Sequence, residues 1–341
     1  MKKRSVGIVG IGTYLPDEYI TAEDISKKTK GTWTTSAVKE KLGIIRKTIP
    51  GPGDGTQSMG VKAAKEALID ANISAESIDV ILCMGEEWKE YPLTTSALFI
   101  QDKIGASNAW GIDLQNRCCT TVTAIKMAKD MIISDDSIKR IMIVGGYRNG
   151  DFVDYKDPNM SMMYNLSAGA GALILEGDIH KNKVLGSHII ADGSLSRDAG
   201  VAIGGINNPI TEKNIDKAYQ SLKLFNPKKM KKRLEEVSLE NWFTCIDEAL
   251  KKSNLTREDI DYLGVLHFKR SMHEWLLDAL NLSEEQSIYL EEYGHMGQVD
   301  QILSLELALK ENRVKTGDNV LLLAAGIGYV WAANVIEWGE K

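Results

Sequence analysis

An α/β protein, with sheets covered by helices on both faces, is what this sequence predicts. Short apolar, β-branched runs recur along the chain, and between many of them lie segments with apolar residues at 3.6-residue spacing. Gly, Asn, Asp and Pro punctuate the joins, as in Gly51-Pro52-Gly53-Asp54-Gly55 and Gly145-Gly146. In order, the expected strands are Val6–Val9, Val80–Cys83, Ile141–Val144, Ala172–Leu175, Leu263–Leu266, Val320–Leu323 and Val335–Trp338. The expected helices are Met59–Ala71, Leu98–Ile104, Thr121–Ile132, Leu239–Lys251 and Gln301–Leu309. Near-continuous apolar runs are what strands need when both faces of a sheet are covered.

The 341 residues suffice for two halves, 1–175 and 176–341, with the less periodic 192–232 as an irregular cap. A weak two-fold echo supports the division. Each half ends in a Gly-rich turn and an apolar strand, Ala168-Gly169-Ala170-Gly171 in the first and Gly326-Ile327-Gly328 in the second.

Hydrophobic residues make up 43% and charged residues 26%, a soluble globular composition. The formal net charge of −6 argues against a nucleic-acid partner. No apolar run approaches the ~20 residues of a membrane span, so no membrane partner is expected. The basic start Met1-Lys2-Lys3-Arg4 leads into an apolar stretch that stops at Tyr14-Leu15-Pro16-Asp17 without a small-residue cleavage site, and so reads as a first strand. Cys83, Cys118, Cys119 and Cys245 match neither a disulfide framework nor zinc-ligand spacing. A reduced, cytoplasmic protein with no metal site and one chemically special thiol is the economical reading.

Two motifs are set aside. Gly7-x-x-Gly10-x-Gly12 has the wrong order for a dinucleotide loop and runs into Pro16 rather than a crossover helix. The cluster Lys228-Lys229-Met230-Lys231-Lys232-Arg233 reads as a solvated helix face, with a landing site for an acidic carrier protein or coenzyme A phosphates as the alternative.

The most informative segment is Gly111-Ile112-Asp113-Leu114-Gln115-Asn116-Arg117-Cys118-Cys119 with the helix that follows, whose apolar face is Val122, Ile125, Ala128 and Ile132. A thiol at a helix N-terminus faces unpaired backbone N–H groups and the positive end of the helix dipole, which favour the thiolate. The adjacent N–H can bond a developing oxyanion. On these residues alone Cys118 is either a nucleophile or an inert buried cysteine.

Asp113-Leu114-x-x-x-Cys118 ahead of an alanine-containing helix resembles the nucleophile segment of β-ketoacyl-acyl-carrier-protein synthase III and of its relative, 3-hydroxy-3-methylglutaryl-CoA synthase. The resemblance covers nearly the whole chain. It takes in Gly7–Pro16, Lys41-Leu42-Gly43-Ile44, Ala168–Ala172 and the closing Leu323–Trp331. It implies a thiolase-like five-layer α-β-α-β-α sandwich of two pseudo-repeated halves, usually a homodimer. Its spacing favours Cys118 over Cys119 as nucleophile. Leu263-Gly264-Val265-Leu266-His267 matches the family's strand ending in a catalytic histidine, whereas His188 has no such match and is left as structural. His295, in Gly294-His295-Met296-Gly297, stands where synthase III has asparagine. The resulting Cys-His-His set resembles the elongating ketosynthases. Glu86 lies where the hydroxymethylglutaryl-CoA synthases carry their general acid/base, and a water-facing loop carboxylate is the alternative.

Departures accompany the match. Arg117 precedes the nucleophile and Cys119-Thr120-Thr121 follow it, where the family has small residues. Arg117 either reaches solvent or an interface, or recognises a substrate carboxylate. Ile327 replaces the middle glycine of the closing turn. Ser161 replaces an arginine that contacts coenzyme A, leaving Trp33, Lys41, Lys269 and Arg270 as candidates for substrate contacts.

The reaction implied is a Claisen condensation. Cys118 takes an acyl group from a coenzyme A or carrier-protein thioester. His267 and His295 stabilise the enolate of a malonyl-type thioester, and the N–H groups of Cys118 and the Gly326–Gly328 turn hold the oxyanion. No cofactor beyond the thioester substrates is expected. The alternatives are an aldol condensation with Glu86 as base, and a non-condensing partner subunit whose site has drifted.

Overall fold

The computed structural model describes residues 4–340, so Met1–Lys3 of the basic start and Lys341 lie outside it. The strands are β1 (Val6–Tyr14), β2 (Val80–Met84), β3 (Trp110–Leu114), β4 (Arg140–Tyr147), β5 (Gly169–Gly177), β6 (Lys183–Ala191), β7 (Tyr262–Val265), β8 (Asn319–Gly326) and β9 (Val330–Glu337). They line up in the order β7-β8-β9-β6-β1-β5-β4-β2-β3. Between β1 and β6 the register holds one residue pair, Gly7 with Lys183. On either side of that junction the same plan repeats. The first strand runs antiparallel to the last, the last antiparallel to the one before it, and that one parallel to an earlier strand.

Helices complete five layers. Helix α1 (Thr56–Ala71) lies on β1, β5 and β4, and α2 (Ser96–Ile104) on β2 and β3. Between the two runs of strands lie α3 (Thr120–Ser134) and α6 (Asp300–Lys310), each touching strands of both. Helix α4 (Pro227–Ser253) covers β6 and β9, and α5 (Arg270–Ala279) adds Leu276 and Leu277 to the core that holds Leu263, Val265 and Trp331. The expected α-β-α-β-α sandwich is the fold observed.

Helix α3 shows why the middle layer forms. Its Val122, Ala124, Ile125, Ala128 and Ile132 are fully buried between the sheets. Each large aliphatic side chain so placed contributes about 1.5–3 kcal/mol. The glycines of β1 serve packing as well. A Cβ on Gly10 would stand 2.4 Å from the Ala67 carbonyl oxygen, and one on Gly12 2.4 Å from that of Ala63, so α1 lies directly on the strand.

Two expectations change. Strand β6 has no continuous apolar run because Lys183, Gly186, Ser187 and His188 interrupt it, and it forms through its pairing with β9. Helix α4 begins at Pro227, so the cap is shorter than 192–232, and it pairs Ala199–Val201 with Leu222–Leu224. The basic cluster therefore occupies the first turns of α4. Lys229 meets Asp198 at 3.2 Å and Arg233 meets Asp192 at 2.7 Å. Among the described residues no helix is long and apolar enough to cross a membrane.

Candidate active site

From β3 the chain turns through Asn116–Cys119 into α3, placing Cys118 between the two halves. At the tip Arg117 has φ +51°, a left-handed conformation disfavoured for residues with a side chain. Threonines brace it. The Asn116 N–H donates to Thr120 Oγ1 at 2.9 Å, the Thr120 hydroxyl donates to the Arg117 carbonyl at 2.6 Å, and Asn116 Nδ2 donates to Thr123 Oγ1 at 2.7 Å. Thr121 bonds the Gln298 carbonyl, tying the turn to the second half. Thr120 and Thr121, which depart from the family pattern, thus anchor the nucleophile turn.

Gly326, at the end of β8, backs this turn. A Cβ there would lie 3.1 Å from the Cys118 amide nitrogen, so a side chain would crowd the turn and glycine lets the strand back it closely. Gly328 follows at φ +139°, and Ile327 finds room against the main core.

The half-buried Cys118 Sγ lies 3.2 Å from His295 Nε2. Cys119 is buried instead, donating its thiol to the Val330 carbonyl at 3.4 Å, and burial raises its pKa well above the ordinary thiol value.

His295 sits in the loop ahead of α6, pinned at both backbone groups. Its N–H donates to the Asn165 carbonyl at 2.8 Å, and its carbonyl accepts from the Ser167 N–H at 2.9 Å. Its Nδ1 lies 2.5 Å from Asp300 Oδ2. Asp300, the first residue of α6, is wholly buried and also accepts the N–H groups of His267 and Met296, both at 2.7 Å. Burial works against a charged His295 ring, but Asp300 and then Cys118 outweigh it, so its pKa stands well above the usual histidine value.

His267, expected beside His295 as a stabiliser of the enolate, is held differently. Its Nε2–H donates to the Gly43 carbonyl at 2.9 Å, and its Nδ1 accepts from Asn165 Nδ2 at 3.0 Å. The ring stacks on Tyr289 at 5.1 Å. Burial lowers its pKa to about 4, so it is neutral at pH 7 with both ring nitrogens engaged inside the protein. What it offers the site is its backbone N–H to Asp300.

Glu86, past the end of β2, is buried rather than water-facing. It accepts from Asn149 Nδ2 at 3.0 Å and lies 4.0 Å from Arg117 Nη1. Burial raises its pKa, with Asn149 and Arg117 opposing. Arg117 also meets the exposed Glu87 at 3.3 Å. Its guanidinium is therefore placed between two carboxylates of its own chain.

The other candidate contacts fall farther out. The helix Thr35–Lys41 touches α5, and Lys41, at its end, and Lys269, just ahead of α5, are both exposed. Arg270 is paired with Glu291, stacked over Tyr289 at 4.6 Å, and lines a cavity with Glu274, Glu284 and Glu285. Such acidic surroundings are unfavourable to a phosphate. Trp33 packs against the core with its ring edge-on to Tyr164 at 6.5 Å. Ser161 lies half-buried in a short helical turn. On β6, His188 Nδ1 stands 3.0 Å from Lys252 Nζ.

Sequence reasoning missed Asp300, Asn165 and Tyr147. Tyr147 ends β4 with its ring 6.2 Å from that of His295, and a Cβ on Gly297 would fall 2.4 Å from it. For Asp300 a signal existed, an acidic residue just before the expected helix 301–309 and five residues past His295.

Residues 112–193 match the family model of 3-oxoacyl-[acyl-carrier-protein] synthase III, and residues 250–338 match the model of its C-terminal region. A β-ketoacyl-[acyl-carrier-protein] synthase III of Caldanaerobacter subterraneus subsp. tengcongensis is 25% identical over 342 residues, covering 99% of each chain. One from Prochlorococcus marinus subsp. pastoris is 29% identical over 341 residues, covering 98% of this chain and 97% of the other. The crystal structure of 3-oxoacyl-[acyl-carrier-protein] synthase III from Aquifex aeolicus superposes with a TM-score of 0.82 at 23% identity, covering 98% of this chain and all of that one. With the nucleophile turn in the first matched region and His267 and His295 in the second, the chain belongs to the 3-oxoacyl-[acyl-carrier-protein] synthase III family of thiolase-fold condensing acyltransferases.

Proposed function

We propose that this protein joins an acyl thioester to a malonyl-type thioester through an acyl group carried on Cys118. The observation that carries this reading is the 3.2 Å contact between Cys118 Sγ and His295 Nε2 at the base of α3. A thiolate beside an imidazolium attacks the thioester carbonyl, forming an S–C bond and expelling the donor thiol, which takes the Nε2 proton. The backbone N–H groups of Cys118 and the Gly326–Gly328 turn hold the oxyanion. A proton regained from solvent lets His295 Nε2–H stabilise the enolate left when the second thioester loses CO2. That enolate displaces Cys118 as a thiolate. No cofactor enters these steps. The donors are coenzyme A or carrier-protein thioesters, with Trp33, Lys41 and Lys269 as candidates to meet them.

A second reading, an aldol condensation, is favoured by Glu86. Buried, held by Asn149 and beside the nucleophile turn, it has the raised basicity that α-proton removal requires.

We also propose a cytoplasmic homodimer. The four cysteines are free. Strand β3 is an open sheet edge with Trp110 and Ile112 exposed, and Tyr91 and Leu93 project nearby.

Mass spectrometry after incubation with a panel of acyl-coenzyme A and acyl-carrier thioesters tests the covalent step. An adduct lost in Cys118→Ala and kept in Cys119→Ala is expected, and its absence with every donor favours the non-condensing subunit. Glu86→Gln separates the chemistries: near-total loss of condensation supports the aldol reading, and a loss under tenfold the decarboxylating one.

A further inference from the structure

We propose that Asp300 is a positioning residue that holds His295 as the proton partner of Cys118, making the site a Cys118–His295–Asp300 relay with His267 outside it. The inference rests on Cys118 being the acylated residue. It does not depend on which thioester follows.

The geometry allows one orientation of the relay. Asp300 Oδ2 lies 2.5 Å from His295 Nδ1, and His295 Nε2 lies 3.2 Å from Cys118 Sγ. With Nδ1–H donated to the carboxylate, the remaining ring nitrogen is the one that faces the sulfur, so proton exchange with Cys118 runs through Nε2 alone. Asp300 is itself fixed by the amide N–H groups of Met296 and His267, and its own position at the start of α6 adds the positive end of a helix dipole.

Other groups facing His295 do not replace Asp300. From β4, Tyr147 presents a buried phenol that stays protonated, its pKa raised by burial, then by Cys118 and Glu86. From the end of β7, His267 is neutral at pH 7. Lys47 approaches the loop only as far as Gly294, with its Nζ on the Leu166 carbonyl. Glu86 is held by Asn149. Among these groups Asp300 is the one that meets the His295 ring with a carboxylate.

During acylation the Sγ–C bond forms, the donor C–S bond breaks and the donor sulfur takes the Nε2 proton. Asp300 keeps Nδ1–H throughout and is not itself protonated.

The test is the pH profile of Cys118 alkylation by iodoacetamide, read by fragment-ion mass spectrometry with Cys118→Ala as blank. Asp300→Asn removes the carboxylate charge behind Nδ1, so the His295 ring no longer holds its second proton against burial and no longer supports a thiolate on Cys118. The expected result is a fall in alkylation rate of about tenfold or more near neutral pH, recovering in alkali where the thiol ionises unaided. Where a thioester substrate is in hand, kcat should fall with KM nearly unchanged. A profile identical to wild type overturns the proposal, even if the variant is less stable. Should Asp300→Asn fail to fold, proton NMR of the wild-type protein decides. A strongly downfield resonance that disappears in His295→Gln supports the relay, and its absence overturns it.

Discussion

Two buried histidines, His267 past the end of β7 and His295 ahead of α6, sit in one polar network yet end with opposite charge preferences. Asn165 touches both, through its side chain at His267 and its carbonyl at His295. Both rings lose water, which disfavours the cation. What separates them is the group at the ring. The nitrogens of His267 meet a carbonyl oxygen and an amide, so desolvation prevails and the pKa falls to about 4. His295 meets a buried carboxylate and a thiol, and the same penalty is overcome. A histidine's place at the end of a strand does not decide its chemistry; the charge packed against it does.

The comparison breaks first at His295. His295→Ala should slow acylation of Cys118 by about 10²–10⁴-fold, the range for a lost acid/base group, as measured by the rate of adduct formation under single-turnover conditions.

His267→Phe keeps a flat ring over Tyr289 but takes the ring N–H from the Gly43 carbonyl and the ring acceptor from Asn165 Nδ2, which keeps only the residue 267 carbonyl at 3.2 Å. A stability loss of about 2–4 kcal/mol in urea unfolding is expected, with acylation slowed far less than in His295→Ala. The sign with pH follows from a folded pKa of about 4 against 6.5 unfolded. Between those values the unfolded chain binds more protons, so stability falls as pH drops. The variant should lose up to about 1.4 kcal/mol per pH unit of that slope.

The smallest effect concerns Lys47, whose buried Nζ donates to Leu166, in the segment Asn165–Ser167 that touches both histidines. Burial lowers its pKa to about 7 from 10.5. Between those values the unfolded chain again binds the extra proton, so this group makes stability rise with pH. Lys47→Met should flatten that rise, by at most about 1.4 kcal/mol per pH unit, in thermal melts from neutral to alkaline pH.

Much of this was legible in the sequence. The apolar runs located most strands, because a strand buried on both faces must be apolar throughout. The helical spacing located α3, because one stripe of Val122, Ile125, Ala128 and Ile132 faces the sheets. Strand β6 was not legible, since its pairing with β9 rather than its composition makes it a strand. Nor was the true start of α4, where Pro227 opens a helix whose first turns are charged and solvated.

By itself the sequence determined the fold, the nucleophile turn and the residue types available beside it, because local periodicity and turn chemistry are written in consecutive residues. Only the tertiary structure decided which histidine faces Cys118, that Asp300 stands behind it and that Glu86 is buried. Those outcomes depend on contacts across about 180 residues of chain, from Cys118 to His295. Desolvation and charge pairing act through distance in space, which spacing in sequence does not encode.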